Sequence, residues 1–80
     1  DKDKALAGYQ KALKYMESHD GYIKNNWMYI QLLTTIGLVE EKNENYTETK
    51  KMYQKVLQLQ PNYGHVKNIV YPRLMKKMKS

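Results

Sequence analysis

The chain has no cysteine and no phenylalanine, only two prolines and four glycines, and no acidic residue after Glu48. Without thiols there can be no disulfide scaffold, thiolate nucleophile or Cys-ligated zinc or iron–sulfur site, and the redox compartment stays open. No apolar run reaches the ~18 residues that a membrane span needs. The opening Asp1-Lys2-Asp3-Lys4 has no apolar h-region, so no secretory leader is read there, and the chain is expected to be a piece of a longer protein. Eighty residues fit one small domain over 1–80. A chain of that size buries only roughly 60–70% of its unfolded surface, which argues against a deep cleft between two lobes.

Charge is present in quantity but unevenly placed. Residues 1–48 hold six basic residues and all eight acids, whereas the remainder holds Lys50, Lys51, Lys55, Lys67, Arg73, Lys76, Lys77 and Lys79 with no acid. The second half is therefore a cation within a chain of net charge +6. Such a field favours an acidic protein, a nucleic acid or an anionic membrane surface and speeds encounter with it. The plainer alternative is a lysine-rich solvated surface with no dedicated partner.

Helical periodicity runs through the chain and predicts an all-α fold, with helices over about 2–18, 22–42, 46–60 and 63–79. Ala5, Tyr9, Ala12 and Met16 recur at steps of three and four, with Leu6 and Leu13 on the adjoining edge, which is an amphipathic stripe. Gly8 weakens this helix by roughly 1 kcal/mol, and its lack of a side chain suggests close approach by a neighbour. Ser18-His19-Asp20-Gly21 reads as a turn in which Asp20 caps the next helix. Between Trp27 and Val39 nine of thirteen residues are apolar, so this helix needs cover on at least two sides and should lie centrally. Asn45 and Glu48 have capping-box spacing ahead of a stripe of Tyr46, Thr49, Met52, Tyr53, Val56, Leu59 and Gln60. Pro61 stops that helix. Asn62 can cap a fourth, whose apolar side is Val66, Ile69, Val70, Leu74, Met75 and Met78 and which Pro72 should kink or break.

Two echoes organise these segments. Tyr9-Gln10-Lys11-Ala12-Leu13 returns as Tyr53-Gln54-Lys55-Val56-Leu57, and Gly21-Tyr22-Ile23-Lys24-Asn25 returns in the same order as Gly64-His65-Val66-Lys67-Asn68. Helix one then corresponds to helix three and helix two to helix four, a two-helix repeat of about 43 residues. Each unit leaves an apolar face for its neighbour, and such arrays commonly need about three units and end caps. Small residues at Gly37 and Thr49 would let two antiparallel helices approach, with Tyr53 filling the space beside them.

Residues 30–63 resemble a tetratricopeptide repeat. Tyr53-Gln54-Lys55-Val56-Leu57 followed by Pro61 is similar to the ending of that family's 34-residue pattern, Leu33 stands at its large apolar position, Ile36-Gly37 at its Leu-Gly pair, Tyr46 at a later aromatic and Thr49 at a small residue. Glu40 departs from the usual first Tyr, and the early start of helix two makes this an elongated variant. The resemblance implies antiparallel helix-turn-helix units in a right-handed superhelical stack. It also implies a groove, lined by the first helix of each repeat, that holds a peptide or protein segment. Carried over by position, that groove comprises Gln31, Thr34, Leu38 and Glu41 with His65 and Asn68. The Lys, Asn and Arg positions with which some members clamp acidic chaperone tails correspond here to residues that include Thr35 and His65, so that clamp is not implied.

Catalytic chemistry finds little footing. His19 and His65 are the only imidazoles, and no HExxH, GxSxG, Walker loop or GxGxxG occurs, so no enzyme and no cofactor or metal is expected. His19-Asp20 as base and orienting acid, or Glu40, Glu41 and Glu44 as a cation site, compete with simpler readings as a solvated turn and a solvated helix end. Asn45-Tyr46-Thr47 fits a glycosylation sequon as well as a cap. Tyr9, Trp27 and Tyr53 read as core rather than as base-stacking residues, and Tyr71 and Arg73 beside Lys76 and Lys77 as exposed recognition groups. Leu74, Met75 and Met78 could alternatively lie on a membrane surface. The expected function is non-catalytic binding of a protein or peptide, with an acidic partner steered by the basic end. The alternatives are a nucleic acid held by Lys50, Lys51, Lys55, Lys67, Arg73, Lys76 and Lys77, and a structural end of a repeat array that self-associates through its exposed faces.

Overall fold

A computed structural model describes residues 2–19 and 27–79. Among them all regular structure is helical: α1 (Lys2–His19), α2 (Trp27–Lys42), α3 (Tyr46–Leu59), then a π-helical turn, His65–Val70, running into α4 (Tyr71–Lys79). Each helix packs on the next in chain order. Side-chain bonds also join alternate helices, α1 to α3 through Lys55 and Glu17, and α2 to α4 through Arg73, Lys77 and Glu41. The described chain measures 39 × 32 × 15 Å, and its thin dimension is that of two helix layers at a packing distance of 8–10 Å.

The core is built mainly from α2 and α3. Tyr29, Ile30 and Leu33 of α2 cluster with Tyr53 and Val56 of α3, and Val66, Val70 and Leu74 complete that cluster. Gly37 makes the α2–α3 crossing possible, because a Cβ there would stand 2.5 Å from Cε1 of Tyr53 and 3.3 Å from Cβ of Met52. Thr49 is fully buried beside this contact, and its hydroxyl donates to the Asn45 carbonyl at 3.0 Å.

Local chemistry departs from expectation in several places. α1 continues through His19, whose ring stacks on Tyr15 with centroids 4.3 Å apart, so Ser18 and His19 belong to the helix and not to a turn. Residues 20–26, which carry the Asp20 cap, the expected start of helix two and the first copy of the second echo, lie outside the described residues. The Asn45 side chain does not cap α3. It donates instead to Oε1 of Glu40 at 3.3 Å, while Glu48 pairs with Lys51. The backbone explains this diversion: Glu44 has φ 64°, the Glu44 amide donates to the Glu41 carbonyl and the Asn45 amide to the Glu40 carbonyl. That is a Schellman ending of α2, and it turns Asn45 back toward the helix it has just left.

The last helix opens at Gly64, with the Lys67 amide donating to the Tyr63 carbonyl, so Tyr63 and not Asn62 holds the capping position. Pro72 does not break it and stands as the second residue of α4, directly after the π-helical turn. The Tyr71 amide donates five residues back, to the Val66 carbonyl, and this wide turn relieves the clash of a proline ring with the preceding turn. It also changes the phase. Val66, Val70 and Leu74 point inward at steps of four, and Ile69 and Met78, expected on the same side, are exposed.

The stripe of α1 is the largest revision. Ala5, Tyr9 and Ala12 are exposed, and nothing lies within 4 Å of the Cβ position of Gly8. Of the expected stripe only Met16 packs against the core, together with Leu13 of the adjoining edge. Trp27 is likewise 70% exposed rather than buried. The two glycines therefore predict opposite outcomes. Gly37→Ala should cost about 1–3 kcal/mol by overpacking against Tyr53, and Gly8→Ala should add up to about 1 kcal/mol of helix stability. Urea unfolding of both variants measures this, and equal shifts would remove Gly37 from the crossing.

Candidate functional site

The last turn of α2 carries two buried carboxylates, Glu40 and Glu41. Burying an ion is unfavourable unless donors replace its water. Around Glu41 they do: the Tyr53 hydroxyl donates to Oε1 at 2.8 Å, Arg73 Nη2 to Oε1 at 2.8 Å, Arg73 Nε to Oε2 at 2.9 Å and Lys77 Nζ to Oε2 at 2.8 Å. Arg73 thus grips the carboxylate with a two-pronged fork. Lys77 also lies 6.0 Å from the Tyr46 ring centroid, within cation–π range. Burial by itself pushes the Glu41 carboxyl up. The hydrogen bonds from Arg73, Lys77 and Tyr53, with the charge of Arg73, outweigh that and hold it at about 2. Burial and the Glu41 carboxylate push the Tyr53 phenol up well above its ordinary range, so it remains a donor.

A second clasp, with one cation instead of two, joins α1, α2 and α3. The Tyr29 hydroxyl donates to Oε2 of Glu17 at 2.6 Å and Lys55 Nζ donates to the same oxygen at 2.8 Å. Lys55 lies 5.8 Å from the Tyr29 ring centroid. Hydrogen bonds from Lys55 and then Tyr29 draw the Glu17 carboxyl below its usual range, and the bond to Glu17 raises the lysine. In both clasps the glutamate precedes its tyrosine by 12 residues, so a Glu-x11-Tyr spacing in the sequence carried the signal.

The six expected groove residues do not form one cavity. Thr34 is buried, its hydroxyl donating to the Ile30 carbonyl at 2.9 Å, and Glu41 is enclosed as described, so neither offers a free polar atom. Gln31 is exposed and borders a groove between α1 and α2. Leu38 borders a second depression of about 210 Å³, with Glu41, Lys42, Arg73 and Lys77. His65 and Asn68 are exposed on the π-helical turn.

The basic set is partly spent inside the molecule. Lys51, Lys55, Arg73 and Lys77 all pair with carboxylates. Lys50 is half-buried, and Lys67 and Lys76 are exposed. Glu40 and Glu41 are not a solvated helix end, and they are engaged with Asn45 and with the cations of α4. Among the described residues no three His, Asp or Glu gather as a metal site, and no helix is long and apolar enough to cross a membrane.

Acid should act through Glu41. The proton affinity of its carboxyl is lower folded than unfolded, so its contribution is complete above the unfolded value near 4.5 and lost as pH falls toward about 2. Glu41→Gln should cost on the order of 3 kcal/mol at pH 7 and flatten the stability profile between those limits. Urea midpoints from pH 2 to pH 7 check this, and a variant as acid-sensitive as the parent would sink it. No protein-family model, curated protein or solved structure matches the chain.

Proposed function

We propose that this chain is a non-catalytic helical-repeat module, similar to tetratricopeptide repeats, that binds an acidic protein or peptide segment. The observation that carries the reading is the depression between α2 and α4, which sets the half-buried Leu38 beside Lys42, Arg73 and Lys77. In the repeat assignment α2 and α4 are the first helices of successive units, whose facing sides form the ligand groove. An apolar anchor with cations around it suits a segment that alternates an aliphatic residue with acids. Glu41 neutralises part of that charge and holds the Arg73 and Lys77 head groups in place, which lowers the entropy lost on binding. The paired spacing of the two clasps and the pentapeptide echo support a repeated unit.

Nucleic-acid binding through the basic half is the second reading, supported by exposed Lys67 and weakened by the pairing of Lys51, Lys55, Arg73 and Lys77. Salt separates the two. A random peptide library selected on the immobilised chain should enrich acidic peptides with a Leu or Ile, and their affinity should fall by less than about tenfold between 50 and 200 mM salt. Phosphate contacts through six or more lysines would lose about 10³-fold over that range. Leu38→Glu and Lys42→Glu should each abolish or strongly weaken the selected peptide. Binding indifferent to both, or displaced by a DNA or RNA duplex, would overturn the groove.

A further inference from the structure

The exposed face of α1 echoes in sequence a face of α3 that is covered. In α3 the segment Tyr53-Gln54-Lys55-Val56-Leu57 has a covered side: Tyr53 packs on Gly37 and donates to Glu41 of α2, Val56 is fully buried, and Lys55 reaches back to Glu17 of α1. The equivalent residues of α1 are Tyr9, Lys11 and Ala12. All three are exposed, and among the described residues neither the Tyr9 hydroxyl nor the Lys11 ammonium has a hydrogen-bond or ion-pair partner. Tyr9, Ala12 and Met16 border a groove of about 340 Å³ whose other wall includes Trp27 and Leu32 of α2. α2 occupies the corresponding place against α3, where Glu41 is shared with α4.

We infer that this groove receives an apolar helix from a separate acidic partner, with a small residue against the Tyr9 ring and a carboxylate one turn later that accepts from the Tyr9 hydroxyl, as Gly37 and Glu41 do for Tyr53. A second carboxylate within reach of Lys11 completes the match in charge. A second copy of the chain is a poor occupant, because Glu17, Glu40, Glu41 and Glu48 are each already bonded within the molecule. The site is independent of the α2–α4 depression and uses different residues.

The probe is an acetylated, amidated peptide of residues 28–42 of this chain, the one helix known to fit the echoed segment, titrated into the whole chain. Trp27, the only tryptophan, lies in the groove and is absent from the peptide, so its emission reports occupancy. A saturable blue shift is expected. Gly37→Leu or Glu41→Gln in the peptide, or Tyr9→Phe in the chain, should each weaken binding about tenfold, with no further loss when Tyr9→Phe meets the Glu41→Gln peptide. Leu38→Glu in the chain should leave this binding unchanged. No saturable shift, or binding indifferent to Tyr9 and to the peptide's Gly37 and Glu41, overturns the inference. So does a shift that grows with chain concentration alone, which would make the occupant a second copy.

Discussion

The Glu41 carboxylate is taken out of water at the end of α2 and made tolerable by a phenol from α3 and two cations from α4. An unpaired carboxylate there would be one of the costliest groups in the molecule, so the position of α2 constrains both later helices at once. The constraint is geometric as well as energetic. Arg73 reaches both oxygens only if α4 lies at one distance and rotation from α2, and the Tyr53 hydroxyl arrives because Gly37 leaves room for its ring against the helix. The Glu17 clasp performs the same service one helix earlier with a single cation, nearer the surface and with less at stake.

Removing water from these ions also redistributes the charge that the outside world meets. The second half of the chain is wholly basic in composition, yet two carboxylates from the first half take Lys55, Arg73 and Lys77 into their own coordination. The long-range field remains positive. Its residual density is carried by lysines on α3, on the π-helical turn and on α4, while the paired cations at the α2–α4 depression are fixed in direction. Fixed donors suit recognition of a shaped acidic segment better than the diffuse neutralisation of a phosphate backbone.

The helical molecule has two unequal sides of apolar surface. Toward α3 and α4, Tyr29, Ile30 and Leu33 of α2 are buried, and the depression beside Leu38 stays open. Toward the outer side of α1 a groove remains, walled by Tyr9, Ala12 and Met16 on one helix and Trp27 and Leu32 on the other. The π-helical turn at the opposite end spaces Val66, Val70 and Leu74 onto one line, so the chain closes its core there with few residues.

Sequence alone determined the all-α class, the succession of four helices, the central place of α2, and Gly37 and Tyr53 as a contact pair. Those features follow from the period of apolar residues and from glycine and proline chemistry, which act within a few residues along the chain. It did not determine which of two available stripes α1 would bury, that Asn45 would serve the preceding helix, that Trp27 would face outward, or that Glu41 would be a buried hub rather than a groove contact. Each of these depends on what arrives from another helix. A stripe is core only if a neighbour covers it, a cap forms only if the side chain has no better partner, and the Glu41 carboxylate is tolerated out of water because distant cations converge on it, Arg73 and Lys77 lying more than thirty residues along the chain.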